Sequence, residues 1–332
     1  MTIGILRRCD FDDVEAARVQ TILQARGVDV VDVDLSHYPG DATIAHGVGI
    51  AAPIASIAGV DLTTLRSVWV RPLGRASSAG PEPVDDPLAG FSADDREIAR
   101  GQATAALSGW LECSDAFVVD VPVNVTRVRT LRLAQRFGFD VPPTLITSNP
   151  EALRRFAAQV DGEVVVRFVD PDRVSSDTDP HGPSRTRLLD PDELEDLDGL
   201  VAAPMQFQAR IPKALELRVT VVGSRTFTGA VDSSGSEHGA LDWRTDPELV
   251  TAFVAHDLPP ELECTLLRLC DALHLNFATA DVILTPEGRH VLLEVNGPSY
   301  YGFLEDATGL PISEAVADLL DGTARPRWRP SC

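Results

Sequence analysis

Apolar and polar residues alternate along this chain in two rhythms, one of period two and one near 3.6, and together they lay out the elements. Thr2 to Arg7 is a short apolar run that predicts a strand. Residues 11–26 set Val14, Ala17, Val19, Ile22 and Leu23 near one stripe, with Asp12 and Asp13 before it and Gly27 after it, as a capped helix requires. Val28 to Val33 is a second strand, which makes the opening a parallel, right-handed strand–helix–strand unit. A strand at Ser67 to Pro72, a helix at Phe91 to Cys113 and a strand at Val118 to Val125 follow. Then come a helix from Arg127 to Phe137 that stops at Gly138, a strand and helix through VPPTLITSNPEALRRFAAQ, and a strand from Glu163 to Phe168. Val201 to Ala209, the paired-strand run LELRVTVVGSRTFTGAV and a helix from Pro259 to Leu273 complete this part. Two turn-rich stretches interrupt the pattern, a surface loop at 76–90 and a flexible flap at 169–186.

The clearest alternation is Ala278 to Asn296, ATADVILTPEGRHVLLEVN. Two β-branched runs flank Pro286-Glu287-Gly288, so the segment predicts a hairpin. A two-residue turn and a four-residue loop share the same centre, and both set Asp281 opposite Glu294. Side chains alternate along a strand, so Glu294 and Asn296 share a face, with Asp281 across from them. Like charges directly opposite destabilise a sheet. Two facing carboxylates and an amide oxygen in apolar strands therefore ask for a cation. Three hard oxygen ligands suit Mg²⁺, which is usually held by one or two carboxylates together with substrate phosphates. An exposed hairpin with one solvated acidic face is the plain alternative.

The stretch LLEVNGPSYYGFLEDATGLPISEAVADLL that closes the hairpin resembles the C-terminal end of ATP-grasp ligases. It is most similar to the microviridin-type, or graspetide, synthetases, which make ester and amide crosslinks in ribosomal peptides. Their pattern is a Glu-x-Asn strand, an aromatic-containing loop and a Thr-Gly-Leu-Pro-Ile turn into a last helix, seen here at Thr308 to Ile312. Asn296-Gly297-Pro298-Ser299 stands where the family usually has Asn-Pro-x-Gly. The strand Val68-Trp69-Val70-Arg71 and the triplet Asp242-Trp243-Arg244 also resemble family patterns.

The resemblance implies an α/β (α+β) ATP-grasp fold with an N-terminal parallel α/β pre-ATP-grasp domain at 1–122. A central lid subdomain at 123–203 and a C-terminal domain with the metal site at 204–332 would follow. It implies ATP and Mg²⁺ as cofactors, with Asp281, Glu294 and Asn296 on the metal. Arg127 and Arg167 stand where the family has lysines that contact nucleotide phosphates, with Arg129 an alternative for the first. Arginine can hold phosphate bidentately and its charge is permanent. Gln208 ends the strand before the crossover that lies beside adenine, and Ala209 replaces an acidic residue common in relatives. Arg218 would hold the γ-phosphate and the acyl-phosphate oxygen, and Glu216 would orient it or touch the acceptor. Arg244 would lie beside the peptide-binding groove, where Trp243 either meets the peptide or anchors a loop. The implied partner is a precursor peptide of leader plus core, and the implied assembly a homodimer. A ligase of free amino acids or small peptides, and a weakened member that only binds a leader peptide, remain as alternatives.

Composition narrows the classes. The formal net charge of −21 argues against nucleic-acid and anionic-membrane binding. No run of about 18 apolar residues predicts a membrane span. The N-terminus lacks a secretory signal's apolar core, and five scattered cysteines without metal-type pairs suit a reducing cytoplasm. Lys213 is the only lysine, so arginine carries the positive charge elsewhere. His238 reads as a loop histidine, and no nucleophilic triad is present.

Overall fold

The structure is a computed structural model and describes residues 2–9, 12–40, 42–49, 55–71, 88–119, 126–160, 163–169, 186–237, 239–297 and 299–328. Most of the 76–90 and 169–186 loops, the later part of the strand expected at 118–125, His238 and Pro298 lie outside them. The opening unit forms as its pattern predicts. Strand β1 (Thr2–Arg7), helix α1 (Val14–Ala25) and strand β2 (Asp29–Asp34) follow in order, and β1 pairs β2 in parallel. Asp13 caps the helix by accepting the Ala16 N–H at 3.0 Å. Short strands β3 (Ile44–His46), β4 (Ala55–Ile57) and β5 (Val60–Asp61) make a small antiparallel sheet with no counterpart in the sequence reading. Strand β6 (Leu65–Val70), helix α2 (Ala93–Cys113) and strand β7 (Phe117–Val118) complete a four-stranded parallel sheet in the order β2-β1-β6-β7.

Helix α3 (Arg127–Phe137) ends where Gly138 takes a left-handed φ of 99°. Strand β8 (Thr144–Thr147) leads to helix α4 (Pro150–Gln159), whose Asn149 cap accepts the N–H groups of Glu151 and Ala152. Strands β9 (Val164–Arg167), β10 (Arg187–Leu188) and β11 (Met205–Ala209) join β8 in a second sheet, ordered β10-β9-β11-β8. One face of it packs Val164, Val166 and Phe207 on α4. Gln206 and Gln208, on alternate positions of β11, take the other face.

The third sheet carries the site. Strands β12 (Leu215–Val222), β13 (Arg225–Val231), β14 (Val254–Ala255), β15 (Phe277–Leu284) and β16 (His290–Asn296) run antiparallel in the order β14-β13-β12-β15-β16. Helices α5 (Pro247–Thr251) and α6 (Pro260–Leu273) lie within this run, and α7 (Gly302–Thr308) and α8 (Ile312–Asp321) follow it. Leu217, Val219 and Val221 of β12 share a core with α6 and with Ala134 of α3. Val222 and Phe277, on the opposite face, share a core with Tyr301, α8 and α1. Glu216 and Arg218 lie on that second face, near where the apolar packing gives way to a cavity.

The hairpin turn corrects the sequence reading. Its loop has three residues, Pro286 to Gly288, closed where the Thr285 N–H donates to the Arg289 carbonyl at 2.8 Å, with Gly288 at φ 81°. That odd number moves the register by one, so Leu284 faces His290 and Val282 faces Leu292. A bulge then leaves Leu293 unpaired and returns Asp281 to Glu294. The expected pair forms, but through two offsets that cancel. Without the bulge, Leu293 would stand opposite Asp281.

Candidate active site

Asp281 and Glu294 meet as predicted, and among the described residues four guanidiniums converge on them. Glu294 Oε2 accepts from Arg127 Nη2 at 2.5 Å and from Arg167 Nη1 at 3.1 Å. Asp281 is gripped by Arg218 Nη1, at 2.8 Å to one oxygen and 3.1 Å to the other. Arg244 Nη1 lies 3.6 Å from Glu294 and 3.9 Å from Asp281, while its other nitrogens bind Asp242 at 2.8 and 3.0 Å. Asn296 Nδ2 donates to Glu294 Oε1 at 3.3 Å. Arg129 donates instead to the Ala272 carbonyl, which leaves Arg127 as the arginine that reaches the pair.

Electrostatics follow from crowding. Burial works against ionising Glu294, but Arg127, Arg167 and Arg244 outweigh it and hold the carboxyl well below its ordinary range. Asp281 is pushed up by burial and by the neighbouring Glu294 charge, against the pull of Arg218. Arg167 is pushed down by burial, despite Glu294, with Arg127 and Arg244 adding to the fall.

A cavity of about 300 Å³ opens over this cluster, lined by the second and third sheets and by the crossover between them. Its walls include Arg167, Gln208, the crossover residues Ala209 to Lys213, Glu216, Arg244, Asp281 and Glu294. Gln208 itself sits inside the ladder between β8 and β9, and its side-chain amide donates to Thr144 Oγ1 at 3.0 Å. The N–H groups of Ala209 and Arg210 are likewise taken, by the carbonyls of Pro143 and Glu163. A ligand reading this crossover would therefore meet backbone beyond Arg210.

Two expectations change. Glu216 does not orient Arg218. Its Oε1 accepts from Lys213 Nζ at 2.7 Å and from Ser233 Oγ at 2.6 Å, and burial pushes its carboxyl up despite Lys213. The two side chains share a face of β12 but point to different partners. Trp243 is buried, at 7% exposure, against Phe253 and Phe303 at centroid distances of 5.0 and 5.2 Å. It anchors the loop and, with Asp242 and Arg244, also lines the cavity.

Residues the sequence reading left out are Asp242, which holds Arg244, Ser233, and Ser299, which accepts from Arg218 Nη2 at 2.7 Å. Asp242 was legible as part of its triplet. Ser299 was not, because its partner lies 81 positions away.

The chain that builds this cleft has solved counterparts over its whole length. The chain is 27% identical to the RiPP-associated ATP-grasp ligase of Chryseobacterium gregarium, solved with ADP and a leader and core peptide; the match covers 100% of both chains with a TM-score of 0.85. The chain has the ATP-grasp fold. It is also similar to the macrocyclase MdnC of Microcystis aeruginosa, bound with precursor peptide MdnA, at 26% identity and TM-score 0.81 over 98% of this chain and 100% of that one. The macrocyclase MdnB of the same organism is 29% identical, with TM-score 0.74 over 96% and 99%. No protein-family model and no curated protein matches the chain. The sequence resemblance and the fold it implied are borne out.

The donor set suits a magnesium ion. Among the described residues no group of three or more His, Cys, Asp or Glu could hold a metal. Here the third candidate is the Asn296 amide, and two carboxylates with hard oxygen neighbours are what Mg²⁺ takes when phosphates supply the rest. Four guanidiniums against the carboxylates of Asp242, Asp281 and Glu294 leave one positive charge over, so the cluster favours an anion beside any cation.

Proposed function

We propose that the ligase joins side chains within a ribosomally made precursor peptide, as esters or amides, through an acyl phosphate. The observation that carries this is the convergence of Arg127, Arg167, Arg218 and Arg244 on Asp281 and Glu294 beside the cavity. These groups pair with one another, while the buried Nε atoms of Arg167 and Arg218 are left without a partner. With ATP and magnesium bound, the arginines would face phosphate oxygens and the carboxylates the metal, so that each charge would keep a partner. Breaking one buried pair alone would be costly, whereas a full exchange is not.

In this reading Arg127 and Arg167 hold the outer phosphates, and the crossover after Gln208 takes the adenine edge. Asp281, Glu294 and Asn296 would hold magnesium, which would supply neutralisation of the charge gathering on the phosphates. A side-chain carboxylate oxygen of the peptide attacks the γ-phosphorus and ADP leaves. Arg218 steadies the transferring group, and Arg244 holds the resulting acyl phosphate. A Ser or Thr hydroxyl, or a Lys amine, then attacks the carbonyl carbon, loses its proton and expels phosphate. Glu216, kept near Lys213 and Ser233 and raised by burial, is placed to take that proton. Holding donor and acceptor in one groove supplies proximity, up to about 7–11 kcal/mol in well-oriented cases.

The same reading takes the chain as three domains, 1–122, 123–203 and 204–332, working as a homodimer in the cytoplasm. No helix among the described residues is long and apolar enough to cross a membrane. The test is co-expression with an acidic, Thr-rich small peptide encoded beside the ligase gene, read by mass spectrometry. Loss of one water per link is the expected result. An unmodified peptide, with no ADP released when ATP and magnesium are supplied, would overturn the proposal.

A further inference from the structure

Arg71, Glu15 and Asp13 form a second charge cluster, sealed where the first sheet meets the loop after the hairpin. Arg71 is 1% exposed. Its Nε donates to Asp13 Oδ2 at 2.8 Å, and its Nη2 donates to Asp13 Oδ1 at 3.1 Å and to Glu15 Oε2. The guanidinium carbon lies 4.4 Å from the Trp69 ring centroid and 5.3 Å from that of Tyr300. The other oxygen of Glu15 accepts the backbone N–H groups of Tyr301, at 2.5 Å, and Gly302. Two residues before Tyr301, Ser299 Oγ accepts from Arg218 Nη2 at 2.7 Å. Arg218 Nη1 is the group that grips Asp281.

The contacts therefore run without a gap from helix α1 to the cavity: Glu15, the 299–302 backbone, Ser299, Arg218, Asp281. We infer that Glu15 and Arg71 are positioning residues for the transfer step: they fix the loop so that Ser299 sets the aim of Arg218. The two N–H groups are the first of α7, so Glu15 also fixes where that helix begins and with it the loop that precedes it. The carboxylate on the N–H groups and the guanidinium on the Tyr300 ring together fix the loop's height and its rotation. A displacement of about 1 Å in a catalytic group can lower a rate about a hundredfold.

This inference rests on the ligase reading above. Its test is a double-mutant cycle of Glu15→Gln and Ser299→Ala, read as precursor-dependent ADP release alongside the thermal midpoint. Each single variant should lower kcat by about tenfold or more, with KM for ATP changed less than about twofold. The double variant should be no slower than the slower single, because both changes release the same arginine. Factors that multiply, or a rise in KM with kcat intact, would overturn the inference and make Glu15 a docking residue only. Gly302→Ala decides the matter if Glu15→Gln does not fold. Its new Cβ would lie 3.1 Å from Glu15 Cγ and 3.2 Å from Oε1, and so would disturb the same contact without removing charge. It should show the same coupling to Ser299→Ala. A wild-type protein that releases no ADP with precursor overturns the ligase reading itself, whereas an active wild type with multiplying factors overturns this inference alone.

Discussion

Two charge clusters are built from the same parts, acidic side chains on one element and arginine on another, and they behave differently because one opens to space. At the hairpin, Asp281 and Glu294 share Arg127, Arg167, Arg218 and Arg244, and both line a cavity. At the junction of the first sheet, Asp13 and Glu15 have Arg71, two aromatic rings and two backbone N–H groups, and the three charged side chains are each within a few per cent of full burial. An ion pair that a ligand can reach is able to trade partners. One without access can only hold shape, since removing either member strands a charge away from water. Position, and not residue type, separates the cluster that a ligand can reach from the sealed one.

The contrast is sharpest in activity. Glu294→Gln keeps the shape but loses the charge, and should lower precursor-dependent ADP release at least about a thousandfold, since a metal's charge stabilisation is worth several kcal/mol. Turnover near wild type would end the metal assignment. In the sealed cluster the larger loss should appear as stability, with a smaller fall in activity than at the hairpin. Arg71→Met strands Asp13 and Glu15 and should cost about 3–5 kcal/mol in chemical denaturation. A smaller loss, under about 1 kcal/mol, would mean that water reaches the cluster and that the two regions differ less than described.

Ligand addition probes the exchange directly. Magnesium alone should barely move the thermal midpoint, because arginines already neutralise the carboxylates. Magnesium with ATP at a hundredfold excess over Kd should stabilise by about 2.7 kcal/mol. A large shift with magnesium alone would contradict the partner swap. Arg167→Met should weaken ATP binding about tenfold in titration, roughly 1.4 kcal/mol, because one charge-assisted phosphate contact is lost. At the small end stands Arg289, whose exposed pair with Asp140 at 3.4 Å lies on the hairpin away from the cavity. Arg289→Ala should change stability by no more than about 0.5 kcal/mol.

Much of the site was legible because it is local. The Glu-x-Asn strand, the Glu216-Leu217-Arg218 strand and the Asp242 triplet each carry their message within a few residues, and alternation tells which side chains share a face. The α1, α2, α3 and α6 helices were legible from apolar stripes and end signals such as Gly138. Trp243 was ambiguous, since the rings of Phe253 and Phe303 that bury it come from elsewhere in the chain. The strands β3, β4 and β5 are two or three residues long, too short to show a period.

By itself the sequence determined which residues could face one another across the hairpin and which strands were apolar on one side, because strand periodicity is a property of the backbone. Only the tertiary structure decided that a bulge at Leu293 would rescue the Asp281–Glu294 pair, that Glu216 would turn to Lys213, and that Arg71 would meet the ring of Tyr300 and Glu15 the backbone of Tyr301. Each of those depends on contacts between segments distant in the chain, or on a one-residue offset in pairing. Neither leaves a local pattern of polar and apolar positions to read.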